Sequence, residues 1–369
     1  MFARIVNRLY GYDRLRRRGD QLFLSGEFER ARLEYEKART VLGSADHRRL
    51  AIDALIRDCG RHHRGGVAAV PVQPERASRE PGGGGDAFHA GLEDIFELAI
   101  ADKGEERVHA YRALDSGFKA GYVALVQGDA PRAIRLLSEV AARPGASFVV
   151  HLELARAHSL EDQMALSREA LALAEKLAPN DWETRVLAAA VDIELGRFEA
   201  AHQRLLALRR PEAEPEPEIS FLLGRALSGL NRNDAALEMF RATVHREPHF
   251  HEAFFEGGKL LGAVGDREAQ FELLSRACAL APDEVPYNRE LVAVVIASEL
   301  DPEAGLAACD RLLATDEDNA WEYLSWVAEL YLRRGWKREA RDPLTKALEL
   351  VPNDRRAERD AIERRLAEL

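Results

Sequence analysis

Small residues recur along most of this chain at intervals of 34 or 35 residues. A turn position follows seven residues after each of them, and five of these seven turn positions are Gly or Asn. Both residue types tolerate the left-handed backbone that ends a helix. Each interval is therefore predicted to contain a helix, a tight turn and a second helix. The small positions are Gly121, Ala155, Ala189, Gly224, Gly258, Ala293 and Ala328, and the turn positions are Gly128, Asp162, Gly196, Asn231, Gly265, Leu300 and Gly335.

Two further columns keep this register in the predicted second helices. Small side chains let paired helices cross closely, and bulky side chains fill the space beside them. Gln270 interrupts the second small column, and its neighbour Ala269 indicates a slip of one residue. One helix pair cannot bury its own apolar face, so successive pairs are expected to stack. The second small column is Ala133, Ser167, Ala201, Ala236, Gln270, Gly305 and Ala340, and the bulky column is Leu137, Leu171, Leu205, Phe240, Leu274, Cys309 and Leu344.

These columns, with Pro179, Pro248, Pro282 and Pro352 closing four of the intervals, resemble the pattern of the tetratricopeptide repeat (TPR) family. The resemblance implies an all-α fold, a right-handed α-solenoid of stacked helix-turn-helix repeats. It covers an eighth repeat nearer the N-terminus, and a polar capping helix is predicted to follow the array. The seven repeats of the array are predicted at 114–147, 148–181, 182–216, 217–250, 251–284, 285–320 and 321–354, the eighth repeat at 12–45 and the capping helix at 355–369.

The region before the array departs from this pattern. Residues 1–65 are predicted to form basic helices that include the repeat at 12–45. Residues 66–87 are rich in Gly and Pro and are predicted to be a flexible insertion. Residues 88–113 are predicted to hold an amphipathic helix and a lead-in to the array, with Phe96 on the apolar face. Two interpretations stay open: an interrupted helix pair, or a separate first module on a tether.

The charge of the chain is unevenly distributed. Its net charge is −11, but residues 1–65 carry 15 basic against 9 acidic side chains, a net of +6. The remainder is strongly acidic, which disfavours nucleic-acid binding because phosphate contacts need clustered cations. The opposite charges of the two parts also suggest self-association through the N-terminal arm or end-to-end stacking.

Targeting signals are weak in this sequence. No run of about 18 apolar residues is present, so no membrane span is expected. Arg4, Arg8 and Arg14 interrupt the apolar positions near the start, which disfavours a signal peptide. We therefore expect a cytoplasmic protein, and the excess of arginine over lysine is typical of GC-rich bacterial genomes.

The sequence contains no common enzyme motif of three kinds. It has no phosphate-binding loop, no zinc-protease helix motif and no nucleophile elbow. His245, His249 and His251 lie close together, but Pro248 separates them at a repeat boundary, so surface histidines are favoured over a metal site. Cys278 and Cys309 are expected to be buried apolar side chains. The chain is thus predicted to be non-catalytic, with no cofactor and no metal.

In the TPR family, the first helix of each repeat lines a concave groove. The matching positions here are rich in aromatic side chains, which often dominate interface energies. Three of the cations among them, Arg156, Arg225 and Lys259, would form a track suited to a partner with acidic flanks. No Asn occupies these positions, which argues against the carboxylate clamp of chaperone-binding relatives. The predicted groove residues are Phe118, Tyr122, Leu152, Arg156, Phe221, Arg225, Phe255, Lys259 and Trp326.

The leading functional prediction is a scaffold or adaptor that binds a peptide or helix of another protein. The alternatives are a self-assembling structural protein and a regulatory subunit of a separate enzyme or secretion machine. The sequence does not identify the partner.

Overall fold

The computed structural model describes residues 103–208, 216–298 and 300–369, with a few helical residues nearer the N-terminus. Within these ranges the chain forms helices joined by short connections and contains no strand. The predicted all-α solenoid of helical repeats is confirmed. The helices are α1 (Glu105–Arg112), α2 (Ser116–Val126), α3 (Ala130–Ala141), α4 (Phe148–Leu160), α5 (Met164–Leu177), α6 (Trp182–Glu194), α7 (Phe198–Leu206), α8 (Pro217–Gly229), α9 (Asn233–Arg246), α10 (His251–Val264), α11 (Arg267–Leu280), α12 (Val285–Ser298), α13 (Pro302–Thr315), α14 (Ala320–Arg333), α15 (Lys337–Leu350) and α16 (Arg356–Ala367).

The chain divides into two compact bodies. The N-terminal body spans Met1–Leu230 and the C-terminal body spans Asn231–Leu369. Within the N-terminal body, each helix from α2 to α8 packs against the next one along the chain. The same succession holds from α9 to α16 in the C-terminal body. Each body is therefore a stack in which neighbouring helices supply the apolar surface that a single pair lacks.

Local sequence sets where the helices begin and end. The side chain of Asp115 accepts a hydrogen bond from the Phe118 backbone N–H at 3.0 Å and caps α2. Asp181 caps α6 in the same way through the backbone of Thr184. Six of the seven predicted turn positions have a positive φ. Four second helices end two residues before a proline, which cannot continue a helix.

The helix crossings explain the small columns. A Cβ atom added at Gly121 would lie 2.8 Å from Cγ of Leu137, which is closer than real side chains approach. Gly258 faces Leu274 in the equivalent way, at 3.0 Å. The bulky column is buried in every repeat. Small and bulky positions thus meet at the same crossings, as the sequence pattern predicts.

The register of the sixth repeat needs correction. Ala293, the predicted small position, is exposed, whereas Val292 is fully buried. The helix α12 begins 34 residues after α10, but α13 begins 35 residues after α11. The extra residue therefore lies in the connection between α12 and α13, so positions on α12 move back by one.

The expected slip at Gln270 was also wrong. Gln270 itself is buried, with 3% of its surface exposed, and it holds the column position. The absence of a side chain at Gly262 leaves space for Gln270, because an added Cβ there would lie 2.5 Å from Nε2 of Gln270. The larger side chain in one helix is thus matched by a glycine in the other.

Part of the predicted organisation lies outside the described residues. This applies to most of 1–65, including the repeat at 12–45, and to the insertion at 66–87. At the other end, residues within 355–369 form α16, and its Ile362 is 5% exposed in a cluster with Leu344 and Ala328. The two described cysteines are buried, as expected, and burial raises the pKa of Cys278 to about 11 and of Cys309 to about 12.

Candidate partner-binding surfaces

Most of the predicted groove residues are buried in this structure. Phe118, Leu152 and Phe221 have no exposed surface, and Tyr122 and Phe255 retain 3% and 6%. The expectation that these side chains line an open groove is therefore corrected. These apolar side chains, which suggested contact with a partner, pack instead against other residues of the same chain.

In the N-terminal body, the covering element is α1 and the residues before it. The ring of Tyr111 on α1 packs edge-on against Phe118, with centroids 5.4 Å apart, and against Tyr122, at 5.1 Å. Phe96 makes similar contacts with both rings, at 6.4 and 6.0 Å. Lys103 places Nζ 5.3 Å from the centre of the Tyr111 ring. The chain's own residues thus cover the first helix of the first described repeat.

The same segment reaches the first helices of the next two repeats through polar contacts. The hydroxyl of Tyr111 donates a hydrogen bond to Glu153 on α4. Arg107 places Nη2 2.7 Å from Oδ1 of Asp181 and 3.0 Å from Oε2 of Glu183, at the start of α6. The guanidinium of Arg107 also lies 5.4 Å from the ring centre of Phe148 on α4. These contacts define the N-terminal face, which consists of Phe118, Tyr122, Glu153, Arg156, Asp181 and Glu183.

The N-terminal face is acidic even after its internal pairing. Arg156 forms two contacts with the Glu153 carboxylate, at 2.8 and 3.0 Å, and a third contact with Glu183. Burial by itself would lower the pKa of Lys103, but Tyr122, Glu183 and Glu153 raise that pKa overall. The pKa of Tyr111 is well above its ordinary value because the ring is buried and Glu153 lies beside it. Lys103 is therefore charged and Tyr111 neutral near pH 7.

The predicted cationic track is neutralised within the protein. Arg156 is buried against Glu153 and Glu183. Arg225 places Nη1 2.7 Å from Oε1 of Glu194, and Lys259 places Nζ 3.5 Å from Oε2 of Glu256. Because each cation has its own carboxylate, these three side chains give no basis for an acidic partner. That expectation is corrected.

Trp326 differs from the other predicted anchors because it lines a cavity. The cavity lies in the C-terminal body, between α14 and α16, and has a volume of about 570 Å³. Trp321, Ile296 and Ile362 supply further apolar walls, and both tryptophans are only partly buried. A volume of this size lies within the usual range for ligand pockets. We call this site the Trp326 cavity.

Charged side chains hold the rim of the Trp326 cavity in place. Glu329 on α14 accepts from Arg333 Nε at 2.9 Å and from Arg365 Nη1 at 2.7 Å. Arg365 belongs to α16, so this pair of contacts ties the capping helix to α14 across the rim. An apolar floor with fixed polar groups at its edge is typical of sites that receive one side chain of a peptide.

Arg289 is a site residue that the sequence analysis missed. Its guanidinium lies 5.0 Å from the Trp326 ring centre, and it pairs with Glu322 at 2.8 and 3.1 Å. Burial alone would lower the pKa of Arg289, but hydrogen bonds to Glu322 and Tyr323 raise it. The corrected register of α12 brings Arg289 to a groove position, so the extra residue before α13 was the missing signal.

The described residues contain no group of three His, Cys, Asp or Glu side chains that could hold a metal ion. Among the described helices, none combines the length and apolar character needed to cross a membrane.

Comparison with known proteins identifies similar structures but no sequence family. The chain matches no known family profile and no curated protein. The crystal structure of the APC/C hetero-tetramer Cut9-Hcn1 matches it with a TM-score of 0.51 and 12% identity, over 95% of this chain and 75% of that chain. At this identity the match shows the fold alone.

Two smaller structures match part of the chain. A MamA structure from Desulfovibrio magneticus RS-1 has a TM-score of 0.37 and 21% identity, over 44% of this chain and 90% of that chain. YrrB, described as a TPR protein with an unusual peptide-binding site, has a TM-score of 0.36 and 15% identity, over 54% of this chain and 97% of that chain.

Proposed function

We propose that this chain, a tetratricopeptide-repeat solenoid, is a non-catalytic interaction scaffold that binds a peptide of another protein at the Trp326 cavity. The observation that supports this function is the position of Trp326, a predicted anchor that remains accessible beside a cavity with both apolar and charged lining residues. Tryptophan is among the residues that most often dominate binding energy at interfaces. The partner segment is expected to insert one apolar or aromatic side chain between Trp321 and Trp326.

Binding at the cavity can be tested without knowing the partner. We expect that selection of random peptides against the full chain yields binders with a shared apolar residue. Trp326→Ala should weaken these binders about 30-fold or more, the equivalent of about 2 kcal/mol for an interface anchor. Dissociation constants measured by fluorescence anisotropy check this expectation.

Trp336→Ala is the matched control, because Trp336 is 43% exposed and lies outside the residues that line the cavity. It should leave peptide binding unchanged. Equal losses in the two variants, or a selection without enrichment, would count against the Trp326 cavity as the site.

Self-association is a second candidate function, supported by a separate apolar surface. Leu166, Leu173 and Leu177 on α5 are 46%, 49% and 55% exposed. Spacings of seven and four residues place them on one side of the helix. Glu169 and Lys176 are also exposed and lie seven residues apart. In an antiparallel pair of α5 helices centred near Leu173, Glu169 of each copy would face Lys176 of the other.

This self-pairing predicts a charge-swap result. Leu173→Glu should make the chain monomeric, because it places a charge in the apolar contact. Glu169→Lys should weaken the dimer, and adding Lys176→Glu should restore it, because the reciprocal pairs are re-formed. Sedimentation equilibrium measures all three variants. A wild-type chain that is monomeric at every concentration, or a double variant no better than the single one, would rule out this arrangement.

A further inference from the structure

The charges of the N-terminal face match those of the segment that covers it. The face carries three negative charges, on Glu153, Asp181 and Glu183. Arg156 carries one positive charge, so the net charge of the face is −2. Lys103 and Arg107 supply two positive charges in return. The face therefore selects a basic segment, which is the opposite of the partner charge expected from the sequence.

The covering residues also follow a simple spacing. Lys103, Arg107 and Tyr111 recur every four residues, and the last two are one turn apart on the same side of α1. Lys103 lies over the Tyr111 and Tyr122 rings, Arg107 binds the acidic start of α6, and Tyr111 fills the aromatic position between α2 and α4. We call Lys103, Arg107 and Tyr111 the stripe. The first helices of three repeats, α2, α4 and α6, thus each contact part of it.

The covering helix is too short to be stable alone. It has eight residues, whereas isolated helices shorter than about 12 residues are marginal in water. Its order therefore depends on contacts with the N-terminal face, and a segment with the same stripe can compete for those contacts. If α1 left, the rings of Phe118 and Tyr122 would lose the cover of Tyr111, although Phe96 also packs against them.

We propose that the N-terminal face is a binding site for a partner helix that carries two cations and a tyrosine at four-residue spacing, and that α1 is its internal competitor. The face accepts the tyrosine hydroxyl at Glu153 and the second cation at Asp181 and Glu183. This site belongs to the N-terminal body and is separate from the Trp326 cavity of the C-terminal body. A negative result at one site therefore does not affect the test of the other site.

The experiment uses the full chain and a labelled alanine-based helical peptide with Lys, Arg and Tyr at the spacing of Lys103, Arg107 and Tyr111. Arg107→Glu with Tyr111→Ala removes the contacts of the competitor. This double variant should bind the peptide at least about tenfold more tightly than the wild type, because a site that is mostly occupied internally has a reduced apparent affinity. Fluorescence anisotropy measures the affinity, and hydrogen exchange should show α4 amides losing protection in the variant and regaining it with peptide.

Two controls separate competition from a structural effect. Arg112→Glu changes another arginine of α1 that is 56% exposed and pairs with Glu97, so this variant should behave as the wild type. A peptide of the same composition with the three residues at altered spacing should not bind. Equal binding of both peptides, or equal affinity of wild type and double variant, would overturn the proposal.

A milder variant, Lys103→Ala with Arg107→Ala, keeps the Tyr111 ring. It provides a second test if the first variant does not fold. It should also bind the peptide more tightly than the wild type. If either folded variant fails to bind, the proposal is wrong. If both variants lose helical circular dichroism beyond that of α1, then α1 is an integral part of the fold and the proposal is equally wrong.

Discussion

Replacing Phe118 with alanine is expected to lower the free energy of unfolding of the N-terminal body by about 3–5 kcal/mol, the usual cost of truncating a buried aromatic side chain. The ring has no exposed surface and packs against Phe96, Tyr111 and Tyr122. Its removal leaves a cavity where α1 meets α2. Urea unfolding followed by circular dichroism measures the loss, and hydrogen exchange locates it.

Trp326→Ala is the comparison for this prediction, because the sequence assigns both residues the same anchoring role. Trp326 is partly exposed beside an existing cavity, so its truncation should cost only about 1 kcal/mol. Equal urea midpoints for Phe118→Ala and the wild type would contradict the burial of Phe118. A larger loss from Trp326→Ala than from Phe118→Ala would reverse the distinction between the two sites.

Gly258→Trp is expected to destabilise the C-terminal body by about 3 kcal/mol, the upper part of the usual range for overpacking. A Cβ atom at this position already lies 3.0 Å from Cγ and 3.1 Å from Cδ2 of Leu274, so an indole must push α10 and α11 apart. Because stability in a repeat array is largely local, hydrogen exchange should show the loss in these helices first. Thermal melting gives the overall effect.

Lys259→Trp introduces the same side chain one position further along α10. The Lys259 side chain is 49% exposed, so its replacement should change stability by about 0.5 kcal/mol or less. Glu256→Ala, which removes the carboxylate facing Lys259 and one methylene group, should be similarly mild. Equal melting curves for Gly258→Trp and Lys259→Trp would contradict the register of this repeat.

The repeat pattern was predictable because each column of small or bulky residues is set by the packing of two neighbouring helices. Two helices cross closely only where one of them has a small side chain, and Gly121 opposite Leu137 meets that requirement in the structure. The sixth repeat shows the limit of this reasoning. Val292 and Ala293 are adjacent apolar residues, and only the position of the extra residue in the following connection decides which of them is buried.

The candidate site was predictable only in part. Phe118 and Trp326 are both aromatic, and both lie at predicted groove positions on first helices, but one is buried beneath α1 and the other lines a cavity. Arg156 likewise has the charge expected of a partner-binding residue, yet it is neutralised by Glu153 and Glu183. Residue type fixes what a side chain can bind, but not whether the chain itself already supplies the partner.

The sequence by itself determined the helical repeats, their crossings and most of their turns, because these depend on side-chain size and backbone preference at fixed spacing. Only the tertiary structure decided which faces of those repeats remain available. The residues that cover the N-terminal face come from a segment outside the repeat pattern, and the Trp326 cavity depends on where α16 packs. Such contacts join residues distant in the chain, and no periodicity encodes them.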